Sequence, residues 1–169
     1  MNNPQPTEMA APLRAATSAQ HPAPPPAPPF GTPIAYEQAR KVAEAARKVA
    51  ADMTVPSAIA IVEPNGELVF FLKMDGTPYS AIQLAQQKAV TSARYRRPTK
   101  AFFDSIESGH RFFLTFPGIV AVPGGAPIIF EGKLIGAVGV SGGNVDQDVA
   151  ISDAGLAGLQ MSPESGVPK

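Results

Sequence analysis

The sequence predicts an α+β domain whose strands pair in antiparallel hairpins. Two β-prone segments each contain a short polar turn, so neighbouring strands can pair directly. Segments with the periodicity of amphipathic helices lie before, between and after these hairpins. Strands joined by such short turns run antiparallel, and this distinguishes the order from the βαβ repeats of nucleotide-binding folds.

The first predicted helix covers residues 34–53, IAYEQARKVAEAARKVAADM. Its apolar residues follow the i, i+3, i+4, i+7 spacing of one stripe, and charged residues occupy the other face. Most of the stripe is alanine, whose small side chain permits close approach to a sheet or to another subunit. We interpret this helix as scaffold.

The first hairpin follows Pro56. Residues 58–63 and 67–74 are its predicted strands, and Asn65-Gly66 lies in the turn between them. Asn-Gly between two β-prone runs is among the strongest short-range hairpin signals. The segment 75–78, Asp-Gly-Thr-Pro, then forms a turn that ends the hairpin.

Two helices follow this hairpin. The first is predicted from about Ser80, a suitable N-cap, to Tyr95, because the proline at 98 disfavours helical backbone in the residue before it. Thr99 is a suitable cap for a short helix that ends near Ile106. Residues 107–117 are predicted to form a loop or short turn rich in phenylalanine.

The second hairpin lies within residues 118–143, where eight of 26 residues are glycine. Apolar runs at 128–130 and 134–140 are its predicted strands, and Glu131-Gly132-Lys133 is the polar turn. The segment is predicted to supply two or three strands. A final helix is predicted from Asp146 to Leu159.

Glycine pairs frame this hairpin, Gly124-Gly125 before it and Gly142-Gly143 after it. Glycine permits positive φ and lets a backbone or a ligand approach closely. The two pairs therefore predict a small-molecule pocket at the ends of the hairpin. They match neither the dinucleotide fingerprint nor the P-loop.

The chain divides into three parts. Residues 1–33 contain 10 of the 19 prolines and only two charges, so they are predicted to be a disordered or extended proline- and alanine-rich arm. We interpret this arm as a spacer, and the alternative is a ligand for an SH3-like groove. Residues 34–160 are the predicted domain, and residues 161–169 a flexible tail.

Composition restricts the function classes. Lys+Arg and Asp+Glu are balanced at 14 each, which predicts no nucleic-acid partner and no attraction to an acidic membrane. The chain has no cysteine and two histidines, so thiol chemistry is excluded and no metal site is predicted. The sequence shows no stretch typical of a membrane span or secretory signal. A soluble, cytoplasmic protein is expected, with export or a periplasmic location left open.

Two residues are candidates for proton transfer. His110 lies beside phenylalanines and is a candidate axial haem ligand or general base, and the alternative is an exposed loop histidine. Asp75 is a candidate acid, base or ligand anchor, and the alternative is a turn carboxylate that bonds nearby backbone amides. His21 lies in the proline-rich arm, where a ligand role is the weaker interpretation.

Five motifs together resemble the GlcG/HbpS-like family, which includes the C-terminal domain of PduO-type proteins. They are Met74-Asp75-Gly76, Lys88-Ala89, Arg97-Pro98-Thr99, Pro123–Ile128 and Ile135–Gly143 with Asp146 after it. The resemblance implies an antiparallel five-stranded sheet flanked by helices, with a profilin- or PAS-like look. It also implies an even-numbered homo-oligomer, such as an octamer, and a haem or corrinoid ligand.

The resemblance also directs attention to cations at the matched motif positions. Lys88 and Arg97 are predicted to hold haem, a corrinoid or a small carboxylated molecule together with Gly124, Gly125, Gly142 and Gly143, because cations bind carboxylates by charge-assisted hydrogen bonds. The second hypothesis is a catabolic enzyme, an isomerase, lyase or hydrolase, that acts on a small organic acid through Asp75 or His110. The third is a structural or regulatory oligomer.

Overall fold

The computed structural model describes residues 26–160, except for the side chain of Gln160. Most of the predicted arm, including His21, and the predicted tail at 161–169 lie outside the described residues. The helices are α1 (Tyr36–Asp52), α2 (Tyr79–Tyr95), α3 (Thr99–Glu107) and α4 (Val145–Gln160), with a 3-10 helix at Arg111–Thr115. The strands are β1 (Ala58–Val62), β2 (Leu68–Lys73), β3 (Gly125–Phe130) and β4 (Lys133–Ser141).

The four strands form one sheet in the order β2-β1-β4-β3, and all neighbours are antiparallel. Both predicted hairpins are therefore confirmed, and the fold class is α+β. The second turn is tighter than predicted, because Lys133 already pairs with Phe130 in the sheet. Glu131 and Gly132 alone turn the chain, with φ of 49° and 74°. Two successive positive φ values are typical of a type I′ hairpin turn.

The expectation of a fifth strand is wrong for the described residues. The segment before α1 runs beside β4 but makes only one bridge, in which Phe30 pairs in parallel with Leu134. Leu134 donates to the carbonyl of Pro29 (2.8 Å) and accepts from Gly31 (2.7 Å). Contact with β4 resumes at Ile34, whose N–H donates to the Ile135 carbonyl (2.8 Å), but Pro33 between them has no N–H to donate and the segment forms no regular strand.

Helices cover both faces of the sheet. On one face, the alanines of α2 pack against Ala58, Ala60 and Ala137 of the sheet. Gly139 lies under α2, and a Cβ there would overlap the carbonyl oxygen of Ala85. Because all these side chains are small, α2 lies almost directly on the strands.

The opposite face carries the larger apolar core. Helices α1 and α4 pack there against branched side chains of β1 and β4, including Ile59, Ile61, Val138 and Val140. The predicted alanine stripe of α1 is buried in this core. This arrangement confirms that α1 is scaffold within the described chain.

Two predicted helix caps are corrected. Ser80 and Thr99 lie inside the first turns of α2 and α3, and prolines at 78 and 98 occupy the cap positions. Proline suits the position before a helix, because its φ is fixed and a first-turn N–H would have no helical partner. The Thr99 hydroxyl instead accepts a hydrogen bond from Gly125 N (2.9 Å).

Within the described range, no helix has both the length and the apolar character needed to cross a membrane. The same residues contain no group of three or more histidine, cysteine, aspartate or glutamate side chains placed to hold a metal ion.

Candidate functional site

Lys88 forms a buried ion pair. Its side chain is fully buried on α2, and Nζ donates to Asp148 Oδ2 (2.7 Å) and to the carbonyl oxygen of Val140 (2.8 Å). The second carboxylate oxygen of Asp148 accepts from Gly143 N (3.0 Å). Because α2 and α4 lie on opposite faces of the sheet, this ion pair ties the two layers together.

Burial lowers the pKa of the Lys88 ammonium group, and the hydrogen bond and charge of Asp148 act in the opposite direction. Desolvation penalises the charged form of a lysine, whereas a neighbouring carboxylate favours it. The two charges therefore depend on each other, since an unpaired ion in such a position would keep its full desolvation penalty.

The glycine pairs surround this ion pair. A Cβ at Gly124 would lie 3.0 Å from Lys88 Nζ, and one at Gly125 would lie 2.5 Å from the Lys88 carbonyl oxygen. A Cβ at Gly142 would overlap the Pro56 carbonyl, and the N–H of Gly143 binds Asp148. The structure thus brings Lys88 and the four predicted glycines together. A ligand reaches the ammonium group only when the pair with Asp148 opens, so their role in ligand binding stays a prediction.

Arg97 lies apart from this cluster. Its guanidinium carbon is 5.7 Å from the centroid of the Phe102 ring, and its backbone oxygen accepts from Ser92 Oγ (2.9 Å). These contacts hold the connection between α2 and α3. Arg97 therefore packs beside Phe102. Its contact with a ligand carboxylate stays a prediction.

An apolar surface lies on and beside the 3-10 helix. We call it the aromatic surface, and it consists of His110, Arg111, Phe112, Leu114 and Phe116, all of which are exposed. The exposed fractions of Phe112 and Leu114 are 53% and 66%. Single exposed apolar residues are ordinary, whereas several close together in one short segment make this surface a candidate interaction site.

Ring contacts hold the aromatic surface in place. The Phe112 ring stacks on Phe113 (4.4 Å between centroids), which packs edge-on against the buried Phe102 (5.5 Å). Phe116 stacks on Tyr95 (6.3 Å), whose hydroxyl donates to the Pro117 carbonyl (2.8 Å). These contacts fix the exposed rings to α2 and α3, so the surface is preformed.

His110 stands at one end of this surface. Its ring meets Phe112 edge-on at 6.1 Å between centroids, and Nδ1 lies 3.3 Å from the Ser105 carbonyl oxygen. A carbonyl only accepts, so this contact assigns the hydrogen to Nδ1. In the neutral ring the lone pair then resides on Nε2, the tautomer suited to a metal or a proton.

Asp75 is exposed in the turn between β2 and α2. The Thr77 hydroxyl closes this turn by donating to the Met74 carbonyl (2.7 Å). The alternative interpretation of Asp75 expected its carboxylate to do so. Asp75 lies before α2, whereas His110 lies after α3, so the two candidates for proton transfer are on different segments of the fold.

Sequence reasoning missed two features. The first is the pairing of Asp148 with Lys88, 60 residues away in sequence. The second is a groove of about 520 Å³ between α2 and the segment before β3. Its lining residues are Gln83, Gln86, Gln87, Val90, Arg94, Gly118, Ile119 and Val120. The helical spacing of the α2 residues was visible in the sequence, but the opposing wall was not.

The chain was compared with known protein families and sequences. The family model described as haem degrading protein HbpS-like matches residues 34–157. A 15.0 kDa protein from the dhaT–dhaS intergenic region of Citrobacter freundii is 32% identical over 127 residues, 73% of this chain and 89% of that protein. Protein GlcG of Escherichia coli K12 is 37% identical over 83 residues, 49% of this chain and 62% of GlcG. The corrinoid adenosyltransferase PduO of Citrobacter freundii is 26% identical over 132 residues, 76% of this chain but only 39% of PduO.

Solved structures are similar over the same region. The Klebsiella pneumoniae protein ORFY superposes with a TM-score of 0.74 at 26% identity, covering 79% of this chain and 94% of ORFY. A structure described as a PduOC:heme complex superposes with a TM-score of 0.69 at 25% identity, covering 75% of this chain and 95% of that chain.

Proposed function

The chain belongs to the haem degrading protein HbpS-like family, and from this premise we propose that it binds haem on the aromatic surface around His110. A similar chain has been solved as a PduOC:heme complex, which supports a tetrapyrrole as the ligand class. The observation that carries the choice of site is the edge contact between the His110 imidazole and the exposed Phe112 ring.

The chemistry of this surface suits haem. A haem presents a flat apolar macrocycle, an iron that accepts an imidazole nitrogen, and carboxylates. Phe112 and Phe116 offer aromatic area, His110 offers an imidazole, and the exposed Arg111 offers a cation for a carboxylate. Bound haem would supply redox and ligand-exchange chemistry at its iron. The residues of this chain would bind and orient it.

The test is a haemin titration of the purified full chain, followed by its visible absorption spectrum. Saturable binding with a histidine-ligated spectrum is expected for the native protein. His110→Ala should lose that spectrum and bind haemin at least about tenfold more weakly, since a lost ligand bond removes more than 1.4 kcal/mol. Far-UV circular dichroism checks that the variant is folded.

The other histidine of the chain supplies a matched control. His21→Ala should keep the native spectrum, because the proposed iron ligand is His110. Absence of saturable haemin binding would refute the proposed ligand. An unchanged spectrum in His110→Ala, or a lost one in His21→Ala, would refute the proposed site.

A corrinoid is the second candidate ligand, because the relative PduO is named a corrinoid adenosyltransferase. This chain spans 39% of the length of that protein. We therefore propose only the class of ligand for this chain, and not the adenosyltransferase activity of the whole protein. An imidazole can also ligate the cobalt of a corrinoid. Saturable binding of aquocobalamin but not of haemin, lost in His110→Ala, would favour this candidate.

We also propose that the chain assembles into an even-numbered homo-oligomer. Strand β2 lies at the edge of the sheet, and Leu68 at its start is 50% exposed. An edge strand with apolar exposure is a surface that proteins normally cover. Native mass spectrometry reports the subunit number and any retained ligand together, and a monomer at micromolar concentration would contradict this proposal.

A further inference from the structure

We propose a second ligand site, which does not depend on the haem proposal, in the groove between α2 and residues 118–120. We call it the α2 groove. It binds a small organic carboxylate whose charged group meets Arg94 and whose hydrocarbon part lies on Val90, Ile119 and Val120.

Charge is the first argument. The lining of the α2 groove contains one cation, Arg94, and no acidic residue. Three exposed cations of the described chain have carboxylate partners, in the pairs Arg40–Glu37, Arg47–Glu44 and Lys100–Asp104. Within the described residues, Arg94 has no ion pair or hydrogen bond from its side chain. Its planar guanidinium is therefore available for the two parallel hydrogen bonds that a carboxylate accepts.

The position of the guanidinium is the second argument. It lies between two glycines with positive φ, Gly66 (95°) and Gly118 (69°). A Cβ at Gly66 would be 3.6 Å from Arg94 Nε, and one at Gly118 would be 3.6 Å from Nη1. Because neither glycine carries a side chain, a carboxylate can approach the N–H groups of the Arg94 guanidinium from both sides.

The wall opposite α2 is fixed, which makes the groove preformed. The buried Thr91 hydroxyl donates to the Gly118 carbonyl (3.1 Å) and accepts from Val120 N (3.0 Å). One residue before this wall, the Pro117 carbonyl accepts from the Tyr95 hydroxyl (2.8 Å). Three hydrogen bonds from α2 side chains thus hold the segment, so a ligand does not have to order it.

The remaining lining defines the ligand class. Val90, Ile119 and Val120 form an apolar floor, and Gln83, Gln86 and Gln87 add neutral hydrogen-bonding groups on one side. The volume of about 520 Å³ lies within the usual range of small-molecule sites. An apolar floor, neutral amides and one terminal cation fit a monocarboxylate with a short hydrocarbon chain better than a phosphate or a polyanion.

Methyl NMR tests the site on the full chain without haem, even in a large oligomer. With isoleucine and valine methyl groups labelled, titration with hexanoate should shift the signals of Val90, Ile119 and Val120 saturably. The signals of Ile59 and Ile61, which are buried on the other side of the sheet, should not move. The uncharged analogue 1-hexanol should bind at least about tenfold more weakly, because charge-assisted hydrogen bonds are stronger than neutral ones.

Paired variants locate the charge. Arg94→Gln should weaken hexanoate binding by about tenfold or more. Arg47→Gln removes an exposed arginine on α1, far from the groove lining, and should leave hexanoate binding unchanged. Absence of saturable shifts, equal binding of hexanoate and 1-hexanol, or native affinity in Arg94→Gln would each overturn the proposal. The haemin titration of His110→Ala is a separate measurement, so failure of one proposal does not decide the other.

Discussion

Replacing Lys88 with methionine separates a structural role of this motif lysine from a ligand-binding role. Methionine keeps most of the apolar stem but removes the ammonium group that bonds Asp148 Oδ2 and the Val140 carbonyl oxygen. If the ion pair of the structure is the main role of Lys88, the variant loses stability whether or not a ligand is present. If Lys88 acts mainly on a ligand, affinity falls and stability does not.

The expected magnitude follows from what the substitution leaves behind. Asp148 is only 3% exposed, and in Lys88→Met its carboxylate keeps one hydrogen bond, from Gly143 N, and no counter-charge. Removing one partner of a buried ion pair typically costs about 3–5 kcal/mol. Because a domain of this size has a total stability of about 5–15 kcal/mol, such a loss is a large part of the whole.

Urea unfolding followed by circular dichroism measures this loss, and the chain offers a matched control. Lys100 pairs with Asp104 one helical turn away, and both side chains are 54% exposed. Lys100→Met should therefore change the free energy of unfolding by less than about 1 kcal/mol. The double variant Lys88→Met/Asp148→Asn removes both charges and should recover about 2 kcal/mol of the loss or more.

Two outcomes would refute this reasoning. A free energy of unfolding for Lys88→Met within about 1 kcal/mol of the native value would show that the buried pair does not hold the layers together. A double variant no more stable than Lys88→Met would show that the remaining Asp148 charge is not the cause of the loss. If Lys88→Met does not fold at all, Asp148→Asn takes its place. This variant should fold, because its amide oxygen can still accept from Lys88, and it should have a measurably lower free energy of unfolding, because the counter-charge is gone.

Two further predictions concern packing and pH. Gly139→Ala should destabilise the protein by about 3 kcal/mol in urea unfolding, because its Cβ overlaps the Ala85 carbonyl under α2. The control Gly132→Asn, in the open turn, should cost less than about 1 kcal/mol. Equal losses in the two variants would contradict the close packing under α2. Partial desolvation raises the pKa of the exposed Asp153 side chain, so the native state binds its proton more tightly than the unfolded state and stability is lost as the pH rises through the raised pKa. Asp153→Asn should therefore raise the melting temperature at neutral pH, and this gain should disappear below pH 3.8; a gain that does not depend on pH would exclude the titration as its cause.

The parts of the fold that could be predicted are those with local causes. Asn65-Gly66 and the short turn at Glu131 specify hairpins through the backbone angles that those residues adopt. The stripe of α1 predicts a helix because its apolar residues recur with the helical period. The fifth strand came from a resemblance to a family, whereas in the described residues the segment before α1 makes a single bridge to β4, between Phe30 and Leu134.

The site was less predictable, because its contacts join distant parts of the chain. Lys88 and Asp148 are 60 residues apart and lie on helices that cover opposite faces of the sheet. The α2 groove likewise combines residues of a helix with a segment that begins 24 residues after Arg94, at Gly118. Periodicity within α2 indicates which residues share a face, but it does not indicate what lies opposite them.

The position of the glycine pairs has a consequence for the family as a whole. In this chain Gly124, Gly125 and Gly142 sit where a Cβ would meet Lys88 or the backbone, and Gly143 binds Asp148. In this chain the glycine motif is thus explained by the contacts that hold α2, β3, β4 and α4 together. A motif with that role can remain constant while the ligand changes.

Ligand choice would then depend on residues outside the motif, such as His110 on the aromatic surface and Arg94 in the α2 groove. Both are fixed to the scaffold by contacts that do not use the glycine pairs, since ring stacking orders the first and Thr91 orders the wall beside the second. Relatives that share this fold but differ at those two positions should therefore keep comparable stability and bind different ligands. Haemin and hexanoate titrations of such relatives, paired with urea unfolding, would separate the two contributions.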